Sequence, residues 1–301
     1  MKKYLFAASA IAMAFSISAQ TSAPVYLLKN SKVVNSFAAG TVDCIVFNED
    51  EIPQVDSPFD VKITPTVISA TFDVTPKDEN MDYMVSYMTY KKYLRTTTPD
   101  QGGILGLYEF EKSWYEWVAD MYGAKWQEMM KYDLSKGVSS SETTSALSWD
   151  TEYVCYVFGV DDDCNLATDI CVYPFRTPKS EKDPSAYVDM EITSIEATGK
   201  WKASATFDFI PSSDEMPYCV SLIKAAGILP ELQTMSLVDY VKTYISDFIE
   251  YPYFGEASLT SDNLLPGTDY AIIWFGFDAE KGLITDVYFK FITTPEYVPV
   301  E

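Results

Sequence analysis

The sequence predicts a mainly β protein with inserted helices, built from two β-sandwich domains in tandem. An internal repeat is the first observation. Residues 69–86 are identical to residues 204–221 at 10 of 18 positions, and a second block, residues 153–178, aligns with residues 270–295. The second is that each copy begins and ends with strand patterns, whereas its middle has helical spacing. The third is the length of 301 residues, which suits two domains of ordinary size plus extra segments.

The first 19 residues have the pattern of a secretory signal peptide. Lys2 and Lys3 precede an apolar run that extends from Tyr4 to Ile17, and Ser18-Ala19 supplies small residues for cleavage. This run is shorter than the about 20 residues of a membrane-spanning helix, and no later stretch qualifies. We therefore expect an exported protein that is secreted, periplasmic or at the cell surface, with no membrane insertion after cleavage.

Residues 20–58 predict a small β-ribbon followed by a linker. Two short β-prone runs flank Asn30-Ser31, a third extends from Val42 to Phe47, and the polar segment from Glu49 to Pro58 reads as the linker. We expect the first sandwich at residues 59–179 and the second at residues 180–301.

Both copies open with a strand pair and close with a hairpin. Apolar and polar residues alternate from Ser69 to Val74, and the returning strand extends from Tyr83 to Tyr90. The closing hairpin turns at Asp162–Asn165 in the first copy and at Ala279–Gly282 in the second.

The middle of each copy predicts helix. In the second copy Ser236 is the expected N-cap, Asp239 is in the capping-box position, and apolar residues recur at helical spacing from Leu237 to Ile249. In the first copy a helix, or two helices broken at Gly123, is expected. Its apolar residues are Phe110, Trp114, Trp117, Val118 and Met121, then Trp126, Met129 and Met130.

A corner motif carries a family resemblance. Its residues are Leu264, Pro266, Thr268 and Tyr270 in the second copy and Leu147, Thr151 and Tyr153 in the first. Trp149 replaces the proline in the first copy. The motif and the final Thr-Pro of each copy resemble fibronectin type III domains, and the helical insertions resemble the fibronectin-like modules of exported Bacteroidetes proteins of unknown function. The resemblance covers residues 59–296, implies a spacer or binding scaffold, and supplies no catalytic residues. In such a corner Tyr270 would bond to main chain near Leu264.

Composition excludes several classes of function. The formal charge is −22, so nucleic acid and anionic membranes are not expected partners. The chain has no histidine, which excludes histidine-dependent triads and zinc sites. We expect no catalytic residue, no metal site and no cofactor. Two acidic turns, Asp161–Asp163 and Asp214-Glu215, could contribute to calcium binding, but solvated turns are the simpler interpretation.

Five cysteines leave at least one without a disulfide partner in the chain. Cys155 and Cys171 fall on adjacent predicted strands and are the pair that could form a disulfide. Cys44 and Cys219 have the surroundings of small buried hydrophobes.

The aromatic insertion of the first copy is the candidate binding segment. Helical spacing predicts that one face packs on the sheet, and this face comprises Trp114, Trp117, Val118 and Met121. The candidate ligand-binding residues are Tyr115, Tyr122 and Trp126, because exposed rings stack on sugars or fill pockets on a partner.

These observations favour a non-enzymatic binding or adhesion scaffold whose partner is a protein or a glycan. The first alternative is a glycan-binding protein that uses the aromatics of the inserted helices. A glycoside hydrolase that uses only two carboxylates is the second alternative, and it would require two acids facing each other across a cleft.

Overall fold

The computed structural model describes residues 25–29, 32–37 and 57–299. The chain divides into two compact units, Met1–Asp56 and Ser57–Glu301. In the first unit, strands β1 (Val25–Lys29) and β2 (Lys32–Phe37) pair antiparallel. The predicted signal peptide, the third β-prone run and most of the predicted linker lie outside the described residues.

The second unit contains two β-sandwiches. The strands of the first are β3 (Phe59–Pro65), β4 (Ala70–Pro76), β5 (Asp82–Thr89), β6 (Ser135–Lys136), β7 (Ser139–Glu142), β8 (Glu152–Val160) and β9 (Cys171–Arg176). One sheet has the order β3-β4-β7, and the other has the order β6-β5-β8-β9. All of these pairings are antiparallel.

The second sandwich repeats this arrangement. Its strands are β10 (Val188–Gly199), β11 (Lys202–Pro211), β12 (Tyr218–Lys224), β13 (Ala257–Leu264), β14 (Asp269–Asp278), β15 (Gly282–Leu283) and β16 (Tyr288–Thr293). One sheet has the order β10-β11-β13, and in the other β14 pairs with β12, β15 and β16. The fold class predicted from the sequence, mainly β with inserted helices, is confirmed.

In both copies, helices follow the third strand and precede the strand that returns to the three-stranded sheet, β7 or β13. Between β5 and β6 lie α1 (Tyr90–Thr96), α2 (Gly106–Tyr122) and α3 (Trp126–Lys131); between β12 and β13 lie α4 (Ala225–Leu232), α5 (Leu237–Thr243) and α6 (Ile245–Phe248). Ser236 caps α5 as predicted, because its hydroxyl oxygen accepts the Asp239 amide at 3.1 Å. The predicted continuous helix is divided at Tyr244, where φ is −108°.

The central strand of each four-stranded sheet is buried on both faces. In β8, Cys155 and Val157 face the opposing sheet, whereas Tyr156 and Phe158 face the helices. Strand β14 is equivalent, with Ile272 facing the opposing sheet and its neighbours facing α4–α6. A strand covered on both sides is apolar at successive positions rather than alternate ones. Each sandwich therefore has a third layer made of helices.

The two tyrosine corners have the same geometry. The Tyr153 hydroxyl oxygen accepts the Ser148 amide at 2.8 Å, and the Tyr270 hydroxyl oxygen accepts the Leu265 amide at 2.9 Å. The expectation for Tyr270 is confirmed. The sequence repeat therefore has a physical basis in matching side-chain to main-chain hydrogen bonds.

The first corner also contacts the second sandwich. Trp149 is buried in the cluster that includes Phe277 and Val241, and Val67 joins it from the first sandwich. The Ser148 hydroxyl donates to the carbonyl oxygen of Lys242 on α5 at 2.8 Å. The helical layer of the second sandwich and the contact between the sandwiches therefore share one apolar core.

The suggested pairing of Cys155 with Cys171 is wrong. Cys155 lies opposite Tyr173 and Cys171 lies opposite Val157, so the two cysteines are diagonal neighbours. Diagonal positions on adjacent strands place side chains farther apart than a disulfide allows. The described cysteines are all free thiols: Cys155, Cys164, Cys171 and Cys219.

Candidate functional site

Helix α2 packs one face on the outer side of β8. Its buried residues are Gly106, Leu107, Tyr108, Glu111, Tyr115 and Ala119. The rings of Tyr108 and Phe158 meet edge to face with centroids 5.7 Å apart. The helix ends at Gly123, where a φ of +63° favours glycine. The next residue, Ala124, donates its amide to the Ala119 carbonyl at 3.0 Å.

A buried carboxylate fixes which face of α2 points inward. Glu111 is buried, and its Oε1 accepts hydrogen bonds from the Ser86 hydroxyl at 2.7 Å and from the Tyr156 hydroxyl. Burial and the Glu111 charge raise the pKa of Tyr156 well above its usual value, so this hydroxyl stays protonated and donates. A buried carboxylate needs such donors. Glu111 is consequently a packing residue with only 8% of its surface exposed.

The inward face predicted for α2 is wrong. Trp114 is 52% exposed, Trp117 is 54% exposed and Met121 is 56% exposed. Val118 is half-buried. The Glu111 face lies against the sheet instead, so these residues point to solvent.

The structure separates the three candidate ligand-binding residues. Tyr115 is only 6% exposed, and its hydroxyl donates to Asp133 Oδ2 at 2.7 Å, so the surface position predicted for it is wrong. Burial and the hydrogen bond to Asp133 raise the pKa of Tyr115. Trp126 is half-buried, with the Lys112 ammonium 5.4 Å from its ring centroid. Tyr122 is 76% exposed, as expected for a surface residue.

The outward residues of α2 form an apolar surface that we call the α2 stripe. It comprises Trp114, Trp117 and Met121, and the exposed Tyr122 follows Met121 as the last residue of the helix. The two indole rings have centroids 4.9 Å apart and planes inclined at 37°. A salt bridge between Lys112 and Glu116 at 4.0 Å lies on the same helix. An aromatic centre with charged neighbours is the usual composition of a binding surface.

The acidic turn at Asp161 is held by its own main chain. Asp161 Oδ1 accepts the amides of Asn165 at 2.8 Å and Asp163 at 3.0 Å. These hydrogen bonds lower the pKa of the Asp161 carboxyl, and the bond from the Asn165 amide has the largest effect. Among the described residues, no group of three or more histidine, cysteine or acidic side chains is placed to hold a metal ion. Within the same residues, no helix is long and apolar enough to cross a bilayer.

No protein-family model and no curated protein sequence matches the chain. A two-domain fibronectin type III segment of chicken tenascin is similar at 13% identity, covering 79% of this chain and 100% of that one, with a TM-score of 0.24. The central fibronectin-III array of RIM-binding protein has 9% identity, 81% and 72% coverage, and a TM-score of 0.22. A structure of the receptor tyrosine kinase Torso has 12% identity, 82% and 77% coverage, and a TM-score of 0.21. The sheet orders described above give the chain a tandem fibronectin type III-like fold.

Proposed function

We propose that the protein is a non-enzymatic binding scaffold, secreted or at the cell surface, that contacts a protein partner through the α2 stripe. The observation that carries this proposal is the pair of half-exposed indoles, Trp114 and Trp117, side by side on a helix whose opposite face is anchored to the sheet. The first 19 residues, with their signal-peptide pattern, support an exported location.

The energetics favour a role in binding. A buried tryptophan removes 150–250 Å² from water, so covering the exposed half of each indole would contribute on the order of 2 kcal/mol. Tryptophan and tyrosine are the residues most often found at the energetic centre of protein interfaces, and methionine is enriched there. About half of each of the side chains of Trp114, Trp117 and Met121 stays exposed in the folded chain, so a partner could bury further apolar surface there.

The geometry favours a protein over a glycan. Sugars stack on open ring faces, whereas the indoles of Trp114 and Trp117 partly cover each other at 4.9 Å. Trp114, Trp117 and Met121 also follow the i, i+3, i+7 spacing with which a helix enters an apolar groove on another protein. Glycan binding is the alternative predicted from the sequence. The experiment must therefore distinguish a glycan partner from a protein partner.

Site-specific photo-crosslinking tests the proposal. A benzophenone amino acid is placed at position 122, directly after Met121 of the α2 stripe. The same amino acid at position 251, where Tyr251 is 74% exposed in the second copy, is the control. In intact cells that express the protein, we expect a protein adduct of defined mass from position 122 and none from position 251. The adduct should disappear in the W114A/W117A variant and persist in W201A, which removes an indole that is 76% exposed elsewhere.

Equal adducts from positions 122 and 251, or an adduct that survives W114A/W117A, would show that the α2 stripe is not the contact. A glycan array provides the second arm. If the wild-type protein binds immobilised glycans and W114A/W117A does not, the partner is a glycan and the protein part of the proposal is wrong.

A further inference from the structure

A groove of about 900 Å³ lies between the two sandwiches, and no residue of the α2 stripe lines it. The first sandwich contributes the end of β5, helix α1, the segment 145–148 and the beginning of β8. The second sandwich contributes α5 through Asp239, Lys242 and Thr243. A ligand in this groove would therefore contact both copies of the repeat.

The lining of the groove differs in charge from the rest of the chain. Its cationic residues are Lys91, Lys92, Arg176 and Lys242, and its acidic residues are Asp150, Glu152 and Asp239. The whole chain has 44 acids and 22 bases, so four bases against three acids is a local reversal. Such a reversal attracts an anionic group over the Debye length of about 8 Å at physiological salt.

The carboxylates of the groove already have partners. Arg176 donates to Asp150 Oδ1 at 2.7 Å and to Glu152 Oε1 at 3.1 Å. Asp239 accepts the Ser236 hydroxyl at 2.7 Å. The acids of the groove are therefore hydrogen-bonded, and its four bases still exceed its three acids by one charge.

Two cations from different sandwiches meet at one carbonyl oxygen. Lys242 Nζ donates to the main-chain oxygen of Asp150 at 3.1 Å, and Arg176 Nη2 donates to the same oxygen at 3.5 Å. Asp150 has a φ of +45°, a left-handed conformation that is rare for a residue with a side chain. An ammonium has three N–H donors, so Lys242 can also donate to an anion. Burial lowers the pKa of Lys242, and a bound anion would offset that cost.

The rest of the lining suits a polyol. The ring of Tyr87 packs against Phe72 and the ring of Tyr90 packs against Tyr93, so these tyrosines offer mainly their hydroxyl groups. The Tyr87 hydroxyl lies 3.4 Å from the Ser145 hydroxyl. Thr89 and Thr243 add further hydroxyl groups. Hydroxyl groups that both donate and accept hydrogen bonds are suited to the hydroxyl groups of a sugar.

We propose that this groove binds an acidic saccharide, whose carboxylate is held by Lys242 beside Arg176 and whose hydroxyl groups bond to the tyrosine, serine and threonine hydroxyls of the lining. This site is separate from the α2 stripe and does not depend on the function proposed for it.

Calorimetric titration of the full chain tests the proposal with three probes of matched length. Trigalacturonate is acidic, maltotriose is neutral, and triglutamate is an acidic peptide. We expect heat of binding from trigalacturonate alone, with an affinity that falls as salt rises. K242Q should weaken binding at least about tenfold, the effect of losing one charge-assisted hydrogen bond. The control K200Q, at the turn between β10 and β11, should bind as wild type does.

Because Lys242 contributes to the contact between the sandwiches, K91Q provides a second variant at an exposed position of the same groove. It should weaken trigalacturonate binding several-fold. The proposal is wrong if trigalacturonate does not bind, if maltotriose or triglutamate binds equally well, or if folded K91Q binds as tightly as wild type. The W114A/W117A variant should bind trigalacturonate as wild type does. The result for the groove is therefore independent of whether the α2 stripe binds a partner.

Discussion

The indole of Trp149 packs against the phenyl ring of Phe277, with ring centroids 6.1 Å apart. Trp149 belongs to the corner of the first sandwich, and Phe277 lies near the end of β14 in the second. The equivalent corner position in the second copy is Pro266. A corner position that differs in sequence between the two copies is therefore one that joins them.

Replacing Trp149 with alanine should weaken the contact between the sandwiches. Removal of a large buried aromatic side chain costs about 3–5 kcal/mol, and Trp149 is 6% exposed. We expect urea unfolding of W149A to lose about that free energy or to separate into two transitions. W201A, at a highly exposed indole, should change the free energy of unfolding by less than about 0.5 kcal/mol. A single W149A transition at the wild-type midpoint would contradict this role.

The tyrosine corners should be equivalent in energy. Y270F removes the acceptor of the Leu265 amide, and Y153F removes the acceptor of the Ser148 amide. Leaving such an amide without a partner costs about 1–3 kcal/mol, so both variants should lose free energy of unfolding in that range. Urea titration measures this loss, with Y122F as a control at an exposed tyrosine. A loss confined to one corner would show that the two corners are not equivalent.

Gly282 should tolerate no side chain because it lies at the contact between the sandwiches. A Cβ at Gly282 would lie 2.5 Å from Ser180 Oγ and 2.7 Å from Val67 Cγ1, and its φ is +76°. Gly102 has a similar φ of +85°, but a Cβ there would meet nothing within 4 Å. We expect G102A to cost about 1–2 kcal/mol from the backbone alone and G282A to cost at least about 1 kcal/mol more. Equal thermal midpoints would contradict the close approach.

The buried thiols should resist alkylation in the folded protein. Burial raises the pKa of Cys155 and of Cys219 to about 12 in each case, and only the thiolate reacts. Iodoacetamide at pH 8 should label half-buried Cys171 first and should label Cys155 and Cys219 only after urea is added. Peptide mass spectrometry identifies the labelled positions. Labelling of Cys155 in the native protein would contradict its burial.

The same groups predict instability at alkaline pH. Cys155 and Cys219 have an ordinary pKa of 9.0, burial also raises the pKa of Tyr218 from 10.0 to about 12, and all three are neutral when folded. The unfolded chain ionises first, so the stabilisation is complete below about pH 9 and is lost as pH rises toward 12. Urea midpoints should therefore fall steadily between pH 9 and pH 11.5. A constant midpoint over that interval would exclude this linkage.

The strands and corners could be predicted because their signals are local. Alternation marks β4, and the repeated spacing around Tyr153 and Tyr270 marks the corners, because each side chain bonds to main chain only five residues away. The sequence analysis did not predict helices α1 and α4, although Thr89 caps α1 by accepting the Lys92 amide at 3.3 Å. α4 contains Pro230 and has no side-chain cap, so its stability comes from packing on β12 and β14 rather than from local sequence.

The face of α2 could not be chosen from periodicity, since both faces contain aromatic residues. Trp114 and Trp117 outweigh Tyr108 and Tyr115 in apolar area, and Glu111 would ordinarily mark the solvent side. Its place inside depends on two hydroxyl donors, Ser86 and Tyr156, that are distant in sequence. The groove between the sandwiches could not be predicted either, because Arg176 and Lys242 are distant in sequence and meet only in the folded chain.

The helical layer over β8 and β14 separates the residues that keep each sandwich folded from the residues that a partner can touch. Substitutions at Trp114 or Trp117 meet solvent, whereas substitutions at Tyr108 or Glu111 disturb the sheet beneath. The outer surface of this connection can therefore diversify by mutation while the strands stay unchanged. In evolution, the outward positions of α2 would therefore change faster than the inward positions that hold the helix on β5 and β8.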